Sequence, residues 1–227
     1  MELWSPTHLA AVAATALGAA LLVAVARRRG DAFAVPAGRL LAVLMLAGFA
    51  CEQLTYALRG EWSAEVNLPF QLSDAVTLVA AAALLRPAPQ LVELTYFWSL
   101  SASLQAVLTP DLGDDFPDVL YFTYFATHSG AIAAACLLVL GSRRPLRPGA
   151  VRRAYGFTAA FAACAAIATV ATGGNYMFLR RKPAHGSLLD AMGPWPLYIL
   201  AAALLALALF AALAALAALA RGVPSRV

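Results

Sequence analysis

Charge is scarce in this chain. Of 227 residues, 12% are Asp, Glu, Lys or Arg, about half the share found in soluble globular domains. That shortage excludes an ordinary soluble enzyme, a disordered chain and a nucleic-acid binder. Cysteine and histidine are as sparse, with three of each. Cys51, Cys136 and Cys164 lie in apolar runs without Cys-x-x-Cys spacing. They read as small core hydrophobes rather than disulfide partners or zinc ligands. His8, His128 and His185 form no His-Glu-x-x-His pattern. A zinc site would need His8, His128 and a carboxylate to converge from separate stretches, so no metal and no other cofactor is expected. There is no Gly-x-Ser-x-Gly elbow, the usual mark of a soluble serine hydrolase.

Apolar sequence fills the chain instead. Hydrophobic residues make up 62% of it, and the mean hydropathy is +0.76. A helix needs about 20 mostly apolar residues to cross the hydrocarbon core. Seven runs meet or approach that length, at about 8–26, 35–58, 70–85, 91–108, 117–140, 151–172 and 194–220. The expected fold is a single all-α, polytopic membrane bundle of about seven helices. The third and fourth runs are short and flank a tight turn, Arg86-Pro87-Ala88-Pro89-Gln90. The first run resembles a signal peptide poorly, because Arg27-Arg28-Arg29 follow it and no basic residue precedes it. No internal repeat is visible, and residues 200–220 are nearly an Ala/Leu tract, which permits close helix packing.

The net charge of +4 and the pI near 9.2 matter less than where the basic residues fall. Seven alternating spans put 12 of the 16 Lys and Arg residues on one face, among them Arg27, Arg28, Arg29, Arg39, Arg86, Arg143, Arg144, Arg147, Arg152, Arg153, Arg221 and Arg226. That face is expected inside, with the N-terminus out and the C-terminus in, in a multi-pass protein of the cell membrane. Arg180, Arg181 and Lys182 run against this bias, and a lipid phosphate would account for them.

Ionisable and amide groups inside the hydrocarbon are costly, by about 2.5–3.5 kcal/mol on insertion scales. Here they share a depth. Glu52 lies roughly 10 Å below the outer end of the second span, and Asp74 is similarly deep in the third, with Gln71 above it. Gln105 ends the fourth span, His8 opens the first, and Asn175 and Tyr176 follow the sixth. His128 is roughly 16 Å into the fifth span, on one face with Tyr121 and Tyr124. Glu93, near the inner end of span four, is the exception. This distribution predicts one polar cavity open toward the outer side.

A histidine, a carboxylate and a hydroxyl are the minimum for nucleophilic acyl transfer. The candidate nucleophile is Ser73 and the candidate base His128. Asp74 or Glu52 would orient the imidazole. Gln71, Gln105 or Asn175 would donate to an oxyanion. His8, Tyr124 and Tyr176 complete the expected substrate site, and Arg180 and Arg181 would meet a phosphate headgroup. The expected partner is a membrane lipid. The alternative is a small transporter or a lipid- or solute-binding membrane protein, with Glu52 and Asp74 as switch groups.

Several stretches carry a resemblance. They are Leu68-Pro69-Phe70-Gln71-Leu72-Ser73-Asp74, Tyr96-Phe97-Trp98, Gln105-Ala106-Val107-Leu108-Thr109-Pro110-Asp111 and His128. Further on come Gly173-Gly174-Asn175-Tyr176-Met177-Phe178-Leu179, Lys182-Pro183 and Gly193-Pro194-Trp195-Pro196. Over nearly its whole length the chain resembles the YwaF-like bacterial integral membrane proteins, which are related to the eukaryotic transmembrane protein 164 family. The resemblance implies a bundle of six or seven spans and acyl transfer on ether phospholipids through a Cys nucleophile and a His. The family pattern of His-Leu-Cys stands here as Gln71-Leu72-Ser73. Serine in place of cysteine needs stronger base assistance, which falls to His128.

Overall fold

The computed structural model describes residues 1–183 and 187–220. His185, Arg221 and Arg226 lie outside the described residues. Helices are the only regular structure among those described, and there are seven when continuous turns are joined. They are α1 (Pro6–Arg29), α2 (Asp31–Leu58), α3 (Leu72–Leu85), α4 (89–108), α5 (Val119–Gly141), α6 (Ala150–Thr172) and α7 (Leu197–Leu219). Five of them, all but α3 and α4, are long and apolar enough to cross a bilayer. The chain is a polytopic, all-helical membrane bundle.

Local chemistry sets the ends. Ser5 caps α1 by accepting from the His8 N–H, with Pro6 in the first turn. Asp118 caps α5 by accepting from the Leu120 N–H at 2.8 Å and also pairs with Arg59 at 2.7 Å. That pair ties the end of α2 to the start of α5. The helix N–H and the Arg59 guanidinium hold the Asp118 carboxyl below its usual range. Gly173 ends α6 with φ +80°, a left-handed geometry that favours glycine.

The helices pack through small residues, as expected where lipid supplies no hydrophobic contrast. The α2–α5 pair is the most extensive. A Cβ on Gly130 would lie 2.6 Å from Met45 Cγ, and one on Gly48 would lie 3.2 Å from Ala126 Cβ. Ala42, Val76, Ala80, Phe97, Ala131 and Ala134 are fully buried between α2, α3, α4 and α5. α7 is peripheral: Tyr198, Phe210 and Ala217 are its only buried residues. It is pinned by the Tyr96 hydroxyl donating to Leu213 O at 2.9 Å and by Phe97 against Phe210.

Two helices depart from α geometry. α4 turns π-helical over Ser99–Ser103, and α5 does so over Cys136–Gly141. Such i→i+5 turns cluster at functional sites. α3 has only 14 residues, roughly 21 Å at helical rise. The loops 59–71 and 173–183 meet at its N-terminal end.

Candidate functional site

The centre of the bundle is built from α2, α3, α4 and α5. α5 contributes Tyr124 and His128, one turn apart. The Tyr124 hydroxyl donates to Ala106 O of α4 at 2.8 Å, which sets the register between these two helices. The Tyr124 and His128 rings stack at 4.1 Å and 22°. His128 Nδ1 lies 2.8 Å from the Tyr124 carbonyl. A carbonyl can only accept, so Nδ1 carries the proton and Nε2 keeps its lone pair. Nε2 has no hydrogen-bond partner among the described residues. The imidazole is therefore oriented by a backbone carbonyl. The orienting carboxylate expected from Asp74 or Glu52 does not contact Nδ1.

Those two carboxylates come close to each other all the same. Glu52 of α2 and Asp74 of α3 are within electrostatic reach, and Glu52 also reaches Tyr124 and Tyr56. Neither has a cationic partner among the described residues. Two half-buried acids without a counter-ion are an unusual arrangement inside a membrane protein. Ser73 occupies the first turn of α3 beside Asp74. No hydrogen bond links its Oγ to His128. α4 adds a further polar feature. Thr95, Ser99 and Ser103 recur at i, i+4 and i+8, are fully buried, and have hydroxyls without partners. The Tyr124–Ala106 bond places Ser103 at about the level of His128.

The remaining expected site residues are placed elsewhere. His8 is fully buried, but both ring nitrogens are occupied. Nδ1 accepts from the Trp4 N–H at 3.0 Å, and Nε2 donates to Val107 O at 2.9 Å. It clamps α1 to the end of α4. Gln105 is exposed and caps its own helix end through Thr109 Oγ1 at 2.7 Å. His8 and Gln105 thus stand apart from the polar side chains that α2, α3, α4 and α5 bring together.

Asn175 and Tyr176 build the loop over α3. Asn175 Oδ1 accepts from the N–H groups of Arg180 and Arg181, and its Nδ2 donates to Arg181 O. The amide oxygen is fully used and the nitrogen keeps one N–H, so Asn175 serves first as a brace for its own loop. Tyr176 is fully buried. Its hydroxyl donates to Ala64 O at 2.7 Å and accepts from the Leu68 N–H at 3.1 Å, so loops 173–183 and 59–71 are latched together. Gly174 fits this junction because a Cβ there would lie 2.2 Å from Glu65 O. Gln71 Oε1 accepts from the Met177 N–H at 2.9 Å, joining α3 to the same loop. Its amide nitrogen has no partner among the described residues. Tyr176→Phe should cost about 0.5–1.5 kcal/mol, because two part-buried backbone hydrogen bonds lose their side-chain partner. Thermal unfolding in detergent reads this, and a variant as stable as the parent would show the latch to be idle.

Arg180 and Arg181 are exposed on this loop. Arg180 also edges an apolar recess of about 430 Å³ with Thr169, Val170, Leu179 and Trp195. At the opposite end of α4, Glu93 is fully buried and accepts from Arg147 and Arg153 at 2.8–3.1 Å. The sequence had marked Glu93 as the odd residue and had counted both arginines only as orientation charges.

Among the described residues, no three His, Cys, Asp or Glu side chains are grouped as metal ligands. No curated protein and no solved structure matches the chain. The model of the TMEM164 family matches residues 3–214, nearly the whole sequence. An α-helical membrane bundle matched over that length belongs to the TMEM164 family.

Proposed function

We propose that this protein carries out acyl-ester chemistry on a membrane lipid, as an acyltransferase or a lipid ester hydrolase. The observation that carries the reading is the His128 imidazole. Its proton is committed to the Tyr124 carbonyl, and its Nε2 lone pair is uncommitted, the state required of a general base.

In this reading Ser73 Oγ attacks the ester carbonyl carbon while its proton passes to His128 Nε2. The tetrahedral intermediate collapses, the bond to the glycerol oxygen breaks, and Nε2 returns the proton to that oxygen. An acceptor hydroxyl or water then takes the acyl group by the same steps in reverse. Glu52 and Asp74 favour the transient imidazolium by charge rather than by contact. The unpartnered Gln71 amide is the oxyanion donor best left by the geometry. Arg180 and Arg181 face a headgroup phosphate. We place the protein in the cell membrane, N-terminus out, on its basic-residue distribution.

A purified, nanodisc-embedded protein supplied with labelled phospholipid tests the scheme. Ser73→Ala should reduce acyl turnover to the level of empty discs, and Ser73→Cys should retain it. A Ser73→Ala protein that still turns lipid over would remove Ser73 from the mechanism. A non-enzymatic lipid- or solute-binding role is favoured by the missing Ser73–His128 hydrogen bond. It predicts lipid retention without turnover in the parent protein, unchanged in Ser73→Ala.

A further inference from the structure

A second feature lies on the α1–α2 side of the bundle. An open groove of about 640 Å³ runs between α1 and α2 near their shared turn. Leu22, Phe33, Pro36, Leu40 and Leu44 make its walls apolar, and Arg29 stands at its polar end.

Packing creates the groove. The end of α1 leans on α5: a Cβ on Gly141 would lie 3.1 Å from Ala26 Cβ, and Arg27 Nε donates to Leu140 O at 3.0 Å. α2 uses a different face against α5 and α3, through Met45 on Gly130 and Gly38 on Leu84. The two helices therefore diverge, and Leu40 and Leu44 are left exposed. Pro36 sits inside α2 and has no N–H to give to the Ala32 carbonyl. Ala32 also lines the groove. So one cation and one under-used carbonyl acceptor stand beside an apolar trough. Arg27 is already committed to Leu140, and Arg28 does not line the groove. Asp31 opens α2 nearby as the local carboxylate.

We propose that this groove is a binding site for one anionic phospholipid whose headgroup carries a hydrogen-bond donor. Charge complementarity selects the occupant. The phosphate pairs with Arg29, a headgroup hydroxyl meets the Ala32 carbonyl, and one acyl chain lies along Phe33, Pro36, Leu40 and Leu44. The site is independent of the acyl-ester chemistry assigned above.

The test uses full-length protein equilibrated in vesicles of equal phosphatidylglycerol and phosphatidylcholine, with retained lipids counted by native mass spectrometry. The parent should retain phosphatidylglycerol over phosphatidylcholine by about fivefold, the effect of one basic residue at a membrane surface. Arg29→Gln should bring the ratio to that of the vesicles, while Arg28→Gln keeps the enrichment. Ala37→Phe, which fills the trough without touching charge, should lower retention of both lipids and serves where Arg29→Gln folds poorly. A parent that retains lipid at the vesicle ratio would overturn the site. Equal losses from Arg28→Gln and Arg29→Gln would also overturn it, since they would mean a diffuse basic ring.

Discussion

His128→Ala should lower lipid acyl turnover by about 10²–10⁴-fold, the usual worth of a positioned general base, with little loss of fold. The imidazole makes a bond to the carbonyl one turn back and a stack on Tyr124. It bridges no helices by hydrogen bond, so its removal leaves the α4–α5 register in the hands of Tyr124 and Ala106. His128→Asn sharpens the test. Asparagine can donate to the same carbonyl but has no basic nitrogen, so it should be as inactive as alanine while unfolding at the parent's temperature. Single-turnover assays with labelled lipid, read beside thermal unfolding, separate the two effects. If either variant retained turnover within tenfold of the parent, the base would have to be sought elsewhere. His8→Phe is the useful contrast, because His8 holds α1 against Val107 through a nitrogen already in use.

The largest effect on stability should come from the opposite end of α4. Glu93 is wholly buried, while the Arg147 and Arg153 side chains are 41% and 28% exposed. The consequences of truncation are therefore unequal. Removing both arginines strands a carboxylate away from water, a class of change that typically costs about 3–5 kcal/mol. Removing Glu93 frees two cations that can turn toward solvent. The Arg147→Ala/Arg153→Ala protein should thus melt roughly 10 °C below the parent, and Glu93→Ala should fall between them. Detergent-solubilised protein followed by circular dichroism measures this. A double variant that melts with the parent would show the cluster to be dispensable.

The bundle was legible because the bilayer imposes length and apolarity on each helix, and no tertiary detail is needed to see that. Glu52, Asp74, Tyr124 and His128 were singled out because burying them is costly, and they do lie around the α2–α5 centre. Partners were not legible. His8 looked like a site residue because nothing in its neighbourhood reveals a carbonyl supplied 99 residues later. Asn175 looked available for an oxyanion, yet its oxygen and one N–H are engaged by Arg180 and Arg181 only a few residues on, a turn that hydropathy does not report. The π-helical Ser99–Ser103 was invisible because i→i+5 bonding comes from packing rather than from residue preference. The partnerless hydroxyls of Thr95, Ser99 and Ser103 were not legible, because small residues on a membrane helix serve equally as contact surface.

The brevity of α3 reaches beyond its own packing. A hydrocarbon core is about 30 Å deep, and a 14-residue helix falls short of it. Irregular backbone survives at that depth only when its polar groups are paired within protein, which is the service that Tyr176, Gln71 and Thr169 perform. A bilayer can accommodate a short apolar helix by thinning locally. In the proposed reading, headgroups drawn down toward Ser73 and Asp74 would bring a phospholipid ester to polar side chains without its leaving its own leaflet.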